Sequence, residues 1–215
     1  MSIKNTNLNE ITAVHGSNKL LSIENRLQAN DFSKIMRDTL HSEYSRIKLI
    51  GIDYKQKTAD GKAVFAECNI EPELFKVIAQ KILSGDNFLL SKVNKNKTKG
   101  FTQEKITQKT MPDGKFFVSK FAISYEEALT EYPIKIRIEN GRAEKNVDAS
   151  GKTTIKSGTY IKEKDFTIFL SEWDACKAMR ETLDAIDRFE RGCMAPYLNK
   201  LQEEKTKAAA EYQQQ

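Results

Sequence analysis

Along IKIRIEN (134–140) apolar and polar residues alternate: Ile134, Ile136 and Ile138 fall on one side, Lys135, Arg137 and Glu139 on the other. A period of two is the signature of a strand with one buried face. KFFVSKFAISY (115–125) repeats it, with Phe117, Phe121, Ile123 and Tyr125 opposed to Phe116, Val118 and Lys120. In TYIKEKDFTIFL (159–170) strict alternation would place Tyr160, Lys162 and Lys164 beside Phe166, Ile168 and Leu170, with Phe169 opposite. Such mixed chemistry on one face predicts a bulge or bend. NFLLSKV and FTQEKITQK read as further strands, so the whole stretch from Asn87 to Leu170 is expected to be β, punctuated by Lys-Gly, Pro-Asp-Gly and Asn-Gly turns, with GRAEKNVDASGKTT as a poorly ordered loop.

Upstream, SRIKLIGIDYKQKTADGKAVFAECNI predicts two strands joined through Ala59-Asp60-Gly61-Lys62. A helix follows in EPELFKVIAQKIL, with Pro72 in the first turn, Gly85 beyond the end, and Leu74, Val77, Ile78 and Leu83 as its apolar stripe. A shorter helix is expected in NDFSKIMRDTLHSEY after Asn30. The strongest helical period starts after SEWD, where Ser171 is the N-cap and Trp173, Cys176, Met179, Leu183, Ile186 and Phe189 recur every three or four residues. That stripe assigns Trp173 to the core. Beyond Gly192 the helix is expected to break at Pro196 and resume as a helical extension or tail over 193–215.

Residues 1–30 carry no clear period and read as a flexible N-terminal arm. The rest, 31–192, forms one α+β domain in which strand, turn, strand, helix occurs twice, over 44–85 and 86–192. Each predicted helix has one apolar face, which it can bury only on a sheet. The expectation is an antiparallel, internally repeated meander backed by helices on one face, with the helices over the Ile134, Ile136 and Ile138 side. Such a chain would be a monomer with a pseudo-two-fold repeat, or a homodimer if the repeat is not real.

Composition narrows the class. The 215 residues include 39 % hydrophobic and 30 % charged, enough for a core, and no run of 18 apolar residues occurs. A cytoplasmic protein with no membrane partner is expected. Three cysteines without Cys-x-x-Cys spacing argue against a disulfide framework or zinc site. The net charge of +5 is unevenly spread: eight lysines face two acids between Lys92 and Lys120, whereas six acids face four bases from Glu172 to Arg191.

Catalytic signatures are not seen. DASGKTT has the end of a phosphate-binding loop, but Asn146 stands where the first glycine belongs. His15 and His41 lie in no metal-ligand spacing, and the adjacent pairs Glu126-Glu127 and Glu203-Glu204 do not face each other as an acid and base would. No enzyme, cofactor or metal is expected. The remaining chemistry is cations beside rings on strands. Lysines neutralise phosphates and release counterions, while unpaired bases stack on aromatic faces. The predicted partner is therefore single-stranded DNA or RNA, bound with low sequence preference by Lys105, Lys109, Lys115, Lys120, Lys135 and Arg137, with Phe116 and Tyr160 as stacking rings.

A repeated meander closing in FTIFLSEWDACKAMRETLDAIDRFE (166–190) resembles the single-stranded nucleic-acid-binding class that includes the Pur and Whirly proteins and the positive-cofactor-four coactivator. The resemblance follows the order of elements over 44–190 and is densest over 159–190. It implies an antiparallel sheet gripping a single strand, helices behind it, and no catalysis. The competing class is a protein-binding module of phage or mobile-element type that inhibits a nucleic-acid-processing enzyme; such a protein partner would need charged surface but no stacking rings.

Overall fold

The computed structural model describes residues 9–31, 40–57, 61–86, 88–92, 99–147, 151 and 153–212, excepting the side chains of 88, 89, 109 and 207–212. The chain is α+β and its sheets are antiparallel. Strands β1 (Glu10–His15), β2 (Lys19–Arg26), β3 (Arg46–Lys57) and β4 (Ala63–Ile70) form a four-stranded meander in sequence order, followed by α1 (Pro72–Leu83). A short turn of helix, α2 (Phe88–Ser91), leads to β5 (Phe101–Thr110), β6 (Phe116–Tyr125) and β7 (Ile134–Ala143). A hairpin of β8 (Lys145–Val147) and β9 (Thr153–Ile155) intervenes before β10 (Ile161–Leu170), which pairs with β7 to complete a second sheet ordered β10-β7-β6-β5. The long helix α3 (Glu172–Tyr212) closes the chain. Four strands then a helix therefore occur twice, with β8 and β9 as an insertion in the second unit.

Residues 10–26 are not an arm. They supply the outer hairpin of the first sheet, so the first unit is as long in strands as the second. The polar character of β2 hides its role because Ser22 and Glu24 are buried with partners: the Ser22 hydroxyl donates to Glu10 (2.8 Å) and Arg26 donates to Glu24 (2.9 Å). The Phe32 to Met36 part of the expected first helix lies outside the described residues. The 87–93 segment, expected as a strand, contains α2, and the expected loop at 141–154 contains the end of β7 and most of the β8–β9 hairpin.

Helix α1 buries Phe75, Ile78, Ala79 and Ile82, whereas Val77 is more than half exposed. Its stripe is thus rotated from the expected one, because Ala79 and Phe75 provide the close contact. Pro72 occupies its first turn as expected, and Gly85 takes the left-handed conformation beyond its end (φ 68°). Helix α3 is capped as the sequence predicts: the Asp174 N–H donates to Ser171 Oγ (3.0 Å), whose hydroxyl donates to the Asp174 carboxylate (2.6 Å). The expected break at Pro196 does not occur. Both Pro196 and Gly192, whose carbonyl loses its helical partner there, are exposed, so water can take the place of the missing N–H.

One continuous core joins both sheets and the two long helices, from Leu21, Leu49 and Ile70 through Phe75 and Ile82 to Ile136, Phe166, Met179 and Ile186. Where helices were expected over the isoleucine face of β7, the neighbour observed is β4, which runs against β6, β7 and β10. Gly51 in β3 allows this approach, since a Cβ there would collide with the Phe166 ring. No helix among the described residues is long and apolar enough to cross a membrane.

Candidate nucleic-acid interface

The outer face of the second sheet follows from the alternation of its strands and one irregularity. Register runs Lys120↔Glu139, Ala122↔Arg137 and Ser124↔Lys135, so these side chains project away from the isoleucines. In β10 the pairing passes from Lys162↔Gly141 directly to Lys164↔Asn140, the bulge that the mixed faces of this strand predicted. Glu163 is the extra residue. The shift returns Tyr160 and Lys162 to the outer face, where Tyr160 lies across Gly141; a Cβ at Gly141 would sit 2.9 Å from the tyrosine Cε2.

Five of the eight residues predicted to bind are brought together here: Phe116, Lys120, Lys135, Arg137 and Tyr160. Lys105 is not among them. It pairs with Ser119, on the opposite face, and its ammonium holds Glu71 at 2.9 Å, a hydrogen bond that keeps the Glu71 carboxyl below its ordinary range. Lys115 precedes β6 in the turn closed by Met111 N–H to the Lys115 carbonyl (2.7 Å). The Lys109 side chain lies outside the described residues.

Neighbouring acids neutralise much of this face. Lys120 meets Glu104 at 2.7 Å. Arg137 forks onto Asp165 through Nε (3.1 Å) and Nη2 (3.0 Å) and also contacts Glu139, while Lys162 reaches Asp165 at 3.2 Å. The Arg137 hydrogen bond holds the Asp165 carboxyl low. Burial, then the carboxylates of Glu139 and Glu104, push the Tyr160 phenol well above its usual range, so it stays protonated. Its rings are also covered. The Lys120 ammonium lies 3.9 Å from the Tyr160 ring centre and the Lys145 ammonium 3.8 Å from that of Phe116. The β8–β9 hairpin folds over the Phe116 end, with Lys145 donating to Gln108 (2.6 Å) and with Val118 and Ala143 fully buried.

A second locus has the opposite balance. A groove between the β1–β2 turn and the end of β10 is lined by His15, Lys19, Lys55, Tyr132, Phe169 and Asp174, among others. Tyr132 is 52 % exposed and Phe169 42 %; Trp173, outside the lining but next in the chain to Asp174, is 80 % exposed. The core role expected for Trp173 is overturned. The buried stripe of α3 runs Ala175, Ala178, Met179, Thr182 and Ile186, and Trp173 is two residues from Ala175, about 200° around the helix. The alanines were the legible signal: they mark where the helix comes closest to its neighbours, and a large ring does not belong on that side. Lys55 was likewise missed. It follows Asp53, whose carboxylate accepts the N–H groups of Lys55 (2.9 Å) and Gln56 (3.2 Å) where β3 loses register with β4.

One cluster has metal-ligand composition. His41, Glu73 and Glu190 gather their ligand atoms closely, but Lys76 already places its ammonium 2.5 Å from Glu190 and 3.4 Å from Glu73. His41 Nε2 meets Glu190 at 2.8 Å, Nδ1 meets Ser45 Oγ at 3.0 Å, and the ring stacks on Phe189. With an ammonium occupying the cation position, the arrangement serves to tie the 40–45 loop and α1 to α3. No protein-family description matches the chain, and no curated protein matches it.

Proposed function

We propose that this protein binds single-stranded DNA or RNA, without catalysis and with low sequence preference, through aromatic rings on its sheets flanked by ammonium groups. The observation that carries the reading is the recurrence of that pair on the sheets. Lys135 stands 5.7 Å from the Phe169 ring, Lys164 4.1 Å from Phe65, Lys120 3.9 Å from Tyr160 and Lys145 3.8 Å from Phe116. A ring with a cation beside it offers a base a stacking surface and its phosphate a counter-charge within one nucleotide. The resemblance of the order of elements over 44–190 to the Pur, Whirly and positive-cofactor-four class is the sequence argument for the same reading.

The test is a fluorescence-anisotropy titration of the protein with labelled single-stranded DNA, single-stranded RNA and duplex of equal length at two salt concentrations. Salt-sensitive preference for the single strands is expected. Equal or absent binding at low salt would sink the reading.

The Glu104–Lys120 and Arg137–Asp165 pairs favour a second reading. Alternating charge on one face suits a protein partner of complementary pattern, in the manner of an inhibitor of a nucleic-acid-processing enzyme. Absence of oligonucleotide binding would make that the reading to pursue.

A further inference from the structure

The groove between the β1–β2 turn and the end of β10, with the sheet edge and helix start beside it, carries rings more open to solvent than Phe116 and Tyr160 and, among the described residues, two lysines held in no ion pair within 4 Å. Phe116 and Tyr160 are only half exposed, each under a close ammonium. Tyr132, Phe169 and Trp173 are all more than 40 % exposed, and Lys135 keeps 5.7 Å from the Phe169 ring centre. Among the described residues neither Lys55 nor Lys135 has a carboxylate within 4 Å, although the Glu126 carboxyl, held low first by the Ser124 hydroxyl and by Lys99, also feels the Lys135 ammonium. Lys19, deeper in the groove, is committed instead: it donates to the Thr167 carbonyl (2.5 Å) and faces Asp53.

We infer that this groove is the anchoring subsite for the single strand, with Trp173 and Phe169 stacking successive unpaired bases, Tyr132 bordering them, and Lys55 and Lys135 holding the adjoining phosphates. The inference rests on the single-strand reading above and adds a place to it. Charge complementarity selects the occupant. Two ammonium groups held in no ion pair within 4 Å, beside open π-faces, match a polyanion carrying unstacked bases, whereas a duplex would present phosphates with no base free to reach the rings. Lys55 is held at the rim by the turn that Asp53 organises, so Asp53 acts as a positioning residue.

Trp173 is the sole tryptophan of the chain, which makes it a reporter at the proposed contact. The full-length protein is titrated with a labelled twelve-residue oligothymidylate and with a base-free phosphodiester of the same length, reading label anisotropy and tryptophan emission together. The oligothymidylate is expected to quench Trp173 and the base-free strand to leave it unchanged. Trp173→Ala and Phe169→Ala should each weaken oligothymidylate binding by on the order of tenfold or more, while Tyr44→Ala, an exposed ring elsewhere, should not. Lys55→Ala and Lys135→Ala should each lower the salt slope by about 1.

If anisotropy rises in a salt-dependent way but the emission does not change and the ring variants bind as wild type does, the groove is overturned and the single-strand reading survives. Without any anisotropy change at low salt, both fall. Quenching by the base-free strand to the same extent would also overturn the groove, since it would show that no base stacks there.

Discussion

The Asn140 side chain holds both backbone groups of Glu67. Its Oδ1 accepts the Glu67 N–H at 2.8 Å and its Nδ2 donates to the Glu67 carbonyl at 2.7 Å. A side chain of the second sheet thereby completes the edge of the first as a neighbouring strand would, and Ser119 Oγ adds a bond to the same carbonyl (3.1 Å). The carboxamide suits the position because it carries one acceptor and donors together. Asn140→Ala would leave the Glu67 N–H buried without a partner, for a loss of about 1–3 kcal/mol. Urea unfolding should show a lower midpoint at unchanged slope; an unaltered midpoint would mean the edge is satisfied some other way.

Gly51 and Phe166 couple the sheets by shape. A methyl at position 51 would enter the volume of the Phe166 ring, so Gly51→Ala is expected to destabilise by about 1–3 kcal/mol through overpacking. Phe166→Leu alone should also destabilise, but the two together should lose less than their sum. A double-mutant cycle measures this, and strict additivity would argue that the contact is not shared.

Several carboxylates are held low in the folded state by partners. Asp165 is lowered by hydrogen bonding from Arg137 and Glu71 by Lys105; for Glu190 burial works the other way, but bonds from Lys76 and His41 prevail. A depressed folded pKa contributes stability that is present above the unfolded value of about 4 and is lost as pH falls through the folded one. Unfolding midpoints measured from pH 6 to pH 3 should therefore drop mainly below about pH 4, less steeply for Glu190→Gln. Parallel curves for the two proteins would remove Glu190 from the account.

Ser171 caps α3 through its hydroxyl, so Ser171→Ala should cost about 1 kcal/mol while Ser171→Thr retains most of it. Thermal unfolding followed by circular dichroism at 222 nm distinguishes the two. Equal losses for both variants would place the effect in packing rather than in the cap.

The elements legible in the sequence are those whose pattern is local. Ile134, Ile136 and Ile138 alternate because β7 has one buried face, the chemistry of β10 announces its bulge, and Ser171 with Asp174 announces the start of α3. The N-terminal hairpin was hidden because β2 buries polar residues, Ser22 and Glu24, on the side where alternation would have shown exposure. The long helix passed through Pro196 because exposure on that side makes one missing bond tolerable.

From the sequence alone came the α+β class, most strand faces and the coexistence of lysines with rings. Only the tertiary structure decided which of those groups remain available. The lysine at position 105 is spent on Glu71, 34 residues away, and Lys19 on the Thr167 carbonyl, 148 residues away, whereas Lys55 and Lys135 enter no ion pair within 4 Å among the described residues and Trp173 keeps an open face. Periodicity is set by which side of an element is buried, and a residue's own neighbours record it. Availability depends on charges and surfaces that the fold brings from elsewhere in the chain, and no local pattern records those.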